Sequence, residues 1–131
     1  MLRTDGFKSN LTVRRALTSK DALAAHGQHV VLDLTGYVSP GPDEAAWVLS
    51  VLEDAVARSG ARNVHAHAEV FDGSLSPPGF AAVVLLDESH LSAHCYADRG
   101  WLAIDCFTCG WTDAEGIVDD VVAAYHSSFS L

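Results

Sequence analysis

The groups in this chain that are best suited to chemistry lie close together, in residues 86–110 (LDESHLSAHCYADRGWLAIDCFTCG). Within this stretch, Ser89 offers a hydroxyl, His94 an imidazole and Cys109 a thiol. A nucleophile and an imidazole that moves protons are the usual groups of covalent catalysis. No G-x-S-x-G motif surrounds Ser89, which excludes the nucleophile elbow of the α/β-hydrolases. The stretch therefore contains the groups that nucleophilic chemistry needs, but such groups are common and their order and spacing must carry the argument.

The spacing of Ser89 and His94 restricts how the two side chains can cooperate. They lie five residues apart, and an odd separation places two side chains on opposite faces of a straight strand. If they act together, Ser89 must lie in a turn or bulge before the strand, and the preceding Asp87-Glu88 pair favours a turn. On these residues alone, a core histidine beside a turn serine, without any chemistry, is the simpler interpretation.

Two other groups of side chains resemble known sites. His65, His67 and Glu69 alternate along one strand and have the ligand types of a metal site, but the sequence fixes no further ligand. Such alternation is also typical of a half-exposed strand, so we predict a solvated face and no metal. Cys106 and Cys109 form a C-x-x-C motif that ends a strand rather than beginning a helix, which argues against a redox pair. A second C-x-x-C is missing, which argues against zinc.

Length and charge restrict the class of protein. The chain has 131 residues, enough for one domain with a substantial core, and a formal net charge of −9. An acidic body repels nucleic acid and favours a small cationic ligand, although the same charge also promotes solubility. No apolar run is long enough to span a membrane, and the polar N-terminus lacks the apolar core of a signal peptide. We therefore expect a cytoplasmic protein, and the odd number of cysteines, three, argues against a disulfide framework.

The apolar periodicity predicts an α+β fold. Residues 1–28 show no sustained period and are interpreted as an extension, with a short helix capped by Ser19, ahead of a domain at 29–131. In that domain the pattern predicts five strands and two helices: strands 29–34, 63–71, 81–86, 91–96 and 101–107, and helices from Asp43 to Gly60 and from Asp113 to His126. This order predicts a two-layer sandwich, a mostly antiparallel sheet with the helices on one face.

Two motifs resemble those of one enzyme family. Residues 87–94 (DESHLSAH) and 103–110 (AIDCFTCG) are similar to the patterns ESHLSIH and AxDxFTCG of the prokaryotic S-adenosylmethionine decarboxylase proenzymes. The turn at 76–79 (SPPG) also matches the family's SPxG, and the likeness covers about residues 29–115.

The resemblance implies a chain that cuts itself between Glu88 and Ser89. The Ser89 hydroxyl would attack the Glu88 carbonyl to form an ester, and β-elimination followed by hydrolysis would leave a pyruvoyl group, made from Ser89, as the cofactor. Its carbonyl would form a Schiff base with the substrate amine and withdraw electrons as carbon dioxide leaves. His94 would assist processing. Cys109 would reprotonate the α-carbon as a thiol, which an apolar pocket would favour.

Several positions depart from the family pattern. Leu75 replaces a phenylalanine that often stacks on adenine, and Asp98 replaces a glutamate that usually binds the ribose hydroxyls. Tyr96 and Ala97 replace a common Trp-Pro pair, and Ala81 replaces a serine near the processing site. The resemblance therefore implies Leu75, Tyr96 and Asp98 as the substrate-binding residues.

The resemblance implies a homodimer of processed protomers that decarboxylates S-adenosylmethionine in polyamine (spermidine) biosynthesis. Two alternatives stay open. In the first, the same pyruvoyl chemistry acts on a free basic amino acid, L-ornithine or L-arginine, because the nucleoside-binding positions are altered. Alternatively, the chain is a regulatory or binding relative that never processes itself, for which the alanine at position 81 is the relevant feature.

Overall fold

A computed structural model describes residues 12–17, 27–109 and 112–129, and in these residues six strands form one sheet with two helices packed on it. All strand pairs are antiparallel, and the spatial order is β1-β2-β6-β5-β4-β3. The strands are β1 (Thr12–Leu17), β2 (Gln28–Thr35), β3 (Asn63–Phe71), β4 (Gly79–Leu86), β5 (Ser89–Tyr96) and β6 (Trp101–Thr108), and the helices are α1 (Glu44–Ser59) and α2 (Ala114–Phe129).

Alternation along the strands builds the core between the sheet and the helices. In β2 the side chains of Val30, Leu32 and Leu34 are buried, and the residues between them are only half-buried. The same alternation runs through β4, β5 and β6, and the buried side chains pack against the apolar sides of α1 and α2. Because a strand has a period of two, the residues between them face away from the helices. We call that second surface the open face.

Local signals explain where α1 begins and ends. Gly60 adopts a left-handed conformation (φ +81°) that favours glycine, and its N–H donates to the Ala57 carbonyl at 3.3 Å. Asp43 occupies the N-cap position as predicted, but its side chain makes no capping hydrogen bond. Instead, the Tyr37 hydroxyl and the Ser39 hydroxyl both donate to the buried carboxylate of Glu44, the first helical residue.

The predicted fold class is confirmed, an α+β two-layer sandwich with both described helices on one face. The predicted strand and helix positions agree with the observed ones to within a few residues. The periodicity missed β1, which lies inside the predicted extension and pairs with β2. The short helix expected after Ser19 lies outside the described residues. Neither described helix is long and apolar enough to cross a membrane.

Candidate active site

A two-residue turn joins β4 to β5, and it contains the bond that the sequence marks for cleavage. Asp87 and Glu88 form the turn, and Leu86 pairs with Ser89 to close it. Glu88 has φ +59° and is the one described non-glycine residue with a positive φ. That conformation costs an L-residue roughly 1–2 kcal/mol, so the peptide bond before Ser89 follows a strained residue.

Ser89 and Cys109 meet at one end of the sheet. Ser89 is the first residue of β5, and Cys109 directly follows the last residue of β6. Because the two strands are antiparallel, these ends are neighbours, and the Cys109 N–H donates to Ser89 Oγ at 3.1 Å. The hydrogen bond fixes the position of the hydroxyl oxygen beside the turn.

The three cysteines are all free, and they lie in two environments. Cys95 and Cys106 are buried in the core, and burial raises the pKa of each thiol to about 12. Cys109 is exposed, so the described residues of a single chain do not form the apolar pocket expected around its thiol. Cys106 and Cys109 therefore lie in different surroundings despite their C-x-x-C spacing.

A bidentate ion pair lies beside the turn. The Arg62 guanidinium, in the connection between α1 and β3, donates from Nε to Asp87 Oδ2 at 2.8 Å and from Nη2 to Asp87 Oδ1 at 2.6 Å. The hydrogen bonds and charge of Arg62 lower the pKa of the Asp87 carboxyl. Sequence reasoning missed this pair, because its members are 25 residues apart and neither belongs to a motif.

His94 does not meet Ser89 within one chain. Strand β5 pairs with β4 in unbroken register from Ser89 to Tyr96, so the turn or bulge at Ser89 that cooperation within one chain would require is not present. Five residues of regular strand separate the two positions by about 17 Å and place them on opposite faces. His94 is exposed on the open face, between its register partners Ala81 and Ala103. The position that departs from the family's serine, Ala81, thus neighbours His94 rather than Ser89.

The predicted substrate-binding residues lie at the end of the sheet remote from Ser89. Tyr96 ends β5 and pairs with Gly79, and Asp98 lies in the single helical turn (Ala97–Arg99) that follows. The loop carrying Leu75 reaches the same end, where the Ala97 N–H donates to the Pro78 carbonyl at 3.1 Å. The Leu75 side chain is 99% exposed, so it contacts almost nothing in a single chain.

A polar network next to Ser89 had no counterpart in the sequence analysis. His90 Nε2 lies 3.0 Å from Asp105 Oδ2, and the Ser92 hydroxyl donates to the other oxygen of the same carboxylate. All three side chains are partly buried on the open face. The sequence does show that His90 and Ser92 are two residues apart and so share one face of a strand. Only the register of β5 against β6 identifies Asp105 as their partner.

The polar face of β3 does not gather its side chains into a metal site. His65, His67 and Glu69 are exposed on this edge strand, and His67 Nε2 contacts Glu69 Oε2 at 2.7 Å. Within the part of the chain that the structure describes, no three histidine, cysteine or acidic side chains gather closely enough to hold a metal ion.

A family model for S-adenosylmethionine decarboxylase matches residues 28–128. The chain belongs to this family. It is 34% identical to the S-adenosylmethionine decarboxylase proenzyme of Symbiobacterium thermophilum over 79% of this chain and 75% of the relative. The proenzyme of Brevibacillus brevis is 37% identical over 74% and 71% of the two chains. The crystal structure of the adenosylmethionine decarboxylase of Aquifex aeolicus superposes with a TM-score of 0.61 at 29% identity, covering 74% of this chain and 78% of that one.

Membership of the S-adenosylmethionine decarboxylase family confirms the resemblance found in the motifs and makes the chain a decarboxylase, a carboxy-lyase. Within one decarboxylase chain the predicted site residues fall into two groups. Glu88, Ser89 and Cys109 lie at one end of the sheet, and the substrate-binding positions lie at the other with His94 closer to them.

Proposed function

We propose that the chain is a self-processing, pyruvoyl-dependent decarboxylase of S-adenosylmethionine that serves polyamine synthesis. The observation that carries the proposal is the placement of Ser89. It follows a residue with φ +59° in a tight turn, and its Oγ accepts the Cys109 N–H at 3.1 Å. A fixed hydroxyl next to a strained residue is well placed to attack the carbonyl of that residue.

Cleavage proceeds through an ester. Ser89 Oγ bonds to the Glu88 carbonyl carbon, the carbon–nitrogen bond breaks, and the hydroxyl proton passes to the released amine. Removal of the Ser89 α-proton then expels the Glu88 carboxylate and leaves dehydroalanine at position 89. Water replaces its nitrogen, ammonia leaves, and a pyruvoyl group remains. Residues 1–88 become one fragment and residues 89–131 the other.

A second copy of the chain completes the site. Ser89 and His94 are about 17 Å apart along β5, too far for a proton transfer. In a two-fold dimer with the open faces together and the strands running in opposite senses, the turn that carries the Glu88–Ser89 bond of one protomer lies over the His94 end of its partner, and the imidazole reaches that bond at the turn rather than across β5. The open face suits such a contact because it exposes apolar side chains, with Leu85 44% and Trp101 44% accessible.

The proposed roles follow from this arrangement. The pyruvoyl carbonyl supplies an electron sink for loss of the substrate carboxylate. The His94 imidazole moves protons during processing. The Cys109 thiol returns a proton to the α-carbon, and the dimer provides the dry pocket that the described residues of one chain do not form. The free cysteines at 95, 106 and 109 fit a reducing compartment, and we place the enzyme in the cytoplasm.

S-adenosylmethionine is the substrate that we favour, because it is the one named for the relatives. Tyr96 is half-exposed and offers a ring, Asp98 offers a carboxylate to hydroxyl groups, and Leu75 can close over a bound base. The net charge of −9 also favours a cation.

Intact mass and carbon dioxide release test the proposal. We expect two fragments that meet between residues 88 and 89, the second with the mass of a pyruvoyl terminus, and release of labelled carbon dioxide from carboxyl-labelled S-adenosylmethionine. Parallel assays use L-ornithine and L-arginine. An uncut chain that releases nothing from any substrate contradicts the proposal, whereas cutting with release only from ornithine or arginine contradicts the substrate alone.

A further inference from the structure

The bidentate ion pair beside the cleavage turn has no role in the chemistry described above. Arg62 and Asp87 are joined by two hydrogen bonds, of 2.8 and 2.6 Å, through two nitrogens and two oxygens. Two parallel bonds fix the orientation of a carboxylate, which a single bond leaves free to rotate. Asp87 is the first residue of the turn, and the second is the strained Glu88. The pair therefore acts on the backbone one residue before the bond that breaks.

Arg62 is itself held by the elements on both sides of it. On one side, the Ala61 N–H donates to Ser59 Oγ at 3.1 Å at the end of α1. On the other, Asn63 Nδ2 donates to Glu53 Oε2 at 2.9 Å, which ties the start of β3 to the same helix. Arg62 thus connects the turn to α1 rather than to a loose loop.

We propose that Arg62, acting through Asp87, is a positioning residue for cleavage between Glu88 and Ser89. The inference rests on the proposed self-processing. A residue at φ +59° keeps that conformation only when its surroundings hold it there, and the described neighbours that do so are the Leu86–Ser89 pairing and the ion pair. Without the ion pair, Glu88 can relax toward a negative φ, and its carbonyl then turns away from Ser89 Oγ.

The position of the cut separates this role from a role in turnover. Arg62 and Asp87 both lie in the fragment 1–88, whereas Ser89 and Cys109 lie in the fragment 89–131. Before cleavage, the pair acts on Ser89 through two peptide bonds. After cleavage, it holds only the free end of the first fragment. Loss of the pair should therefore slow processing and leave the decarboxylation rate per pyruvoyl group unchanged.

The test compares processing rates of full-length variants, followed on denaturing gels after synthesis. We expect Arg62→Ala and Asp87→Asn to process about fivefold more slowly, the upper end of what an exposed ion pair supplies. Arg62→Lys should fall between them and the unchanged chain, because an ammonium cannot make the paired contact. The exchanged pair Arg62→Asp with Asp87→Arg should recover part of the rate. Arg58→Ala, which breaks an exposed ion pair with Asp120 at 3.4 Å, is the matched control and should process normally.

Two further measurements decide between positioning and general stability. The thermal midpoint of uncut Ser89→Ala should fall no further with Arg62→Ala than with the control Arg58→Ala, and the processed Arg62→Ala enzyme should keep its turnover per pyruvoyl group. Equal processing rates with and without Arg62, a midpoint lower than that of the control, or slower turnover would overturn the inference. An unchanged chain that never cuts itself would instead contradict the proposed function.

Discussion

At the residue scale, the three cysteines differ in their exposure to solvent. Cys109 is open to solvent, whereas Cys95 and Cys106 lie beneath the helices with pKa values raised to about 12. Only the first can present a thiol to a substrate. Position in the strands decides the difference, because Cys95 and Cys106 fall on core-facing places and Cys109 lies just beyond the end of β6.

Thiol labelling should report this difference directly. At pH 8, iodoacetamide should modify the native chain once, at Cys109, because the two buried thiols are both inaccessible and protonated. Three labels should appear after unfolding. Peptide mass analysis locates the label, and the Cys109→Ser variant should take up none while folded. Labelling of Cys106 in the folded chain would contradict its placement in the core.

The same burial predicts how stability changes with pH. A thiol whose pKa is raised in the folded state contributes stability that is fully present below its unfolded pKa of about 8.5 and is lost as the pH rises toward 12. The uncut Ser89→Ala chain should therefore lose stability above about pH 8.5, by at most about 1.4 kcal/mol per pH unit for each buried thiol. Urea unfolding at pH 7, 9 and 10 measures the slope. Cys95→Ala and Cys106→Ala should each flatten it, and an unaltered slope in both variants would contradict the buried thiols as its cause.

At the element scale, the start of α1 depends on a buried carboxylate. Glu44 is only 7% exposed and accepts hydrogen bonds from the Tyr37 and Ser39 hydroxyls in the segment before the helix. Burial is the main cause that raises the pKa of Tyr37, which remains protonated and can donate. Glu44 thus ties the chain that leaves β2 to the first turn of α1.

Removing that carboxylate should destabilise the domain. Glu44→Ala leaves the Tyr37 hydroxyl buried without its acceptor, which costs about 1–3 kcal/mol. Glu44→Gln keeps an acceptor oxygen and should cost less. Asp54→Ala, on the exposed side of the same helix, should change the free energy of unfolding by less than about 0.5 kcal/mol. Urea denaturation in the Ser89→Ala background gives the comparison, and equal losses for Glu44→Ala and Asp54→Ala would rule out the network.

At the scale of the whole molecule, the predicted site residues of a single chain lie in two separate places. Glu88, Ser89 and Cys109 occupy one end of the sheet, while His94 lies on the open face toward the other end. The proposed two-fold dimer through the open face would form two composite sites, each with a serine from one protomer and an imidazole from its partner.

Mixed dimers test this arrangement. Neither Ser89→Ala nor His94→Ala should process alone, but when the two variants are co-expressed, the His94→Ala chain should be cut in mixed dimers. The turn before its Ser89 there meets the partner's imidazole, whereas the second site lacks both the hydroxyl and the imidazole. A tag on each variant identifies the cut chain on a gel. Failure of the mixture to cut, with dimers present, would mean that serine and histidine act within one chain.

The sequence by itself determined the elements and the chemistry. Local structure is specified by the alternation of Val30, Leu32 and Leu34 and by the apolar stripe that ends at Gly60. The periods of 2 and 3.6 residues depend only on residues that are close in sequence. The motifs around Ser89 and Cys109 likewise identified the family. The sequence could not reveal strand β1 (TVRRAL). Its charged residues interrupt the apolar alternation, and its strand conformation is specified by pairing with β2.

Only the tertiary structure decided which side chains meet. Strand register brings Asp105 to His90, and the path of the chain from α1 brings Arg62 to Asp87 across 25 residues. The same register keeps β5 regular, which separates His94 from Ser89 within one chain. Local patterns fix the direction in which a side chain points, but the neighbours that it reaches depend on contacts distant in sequence.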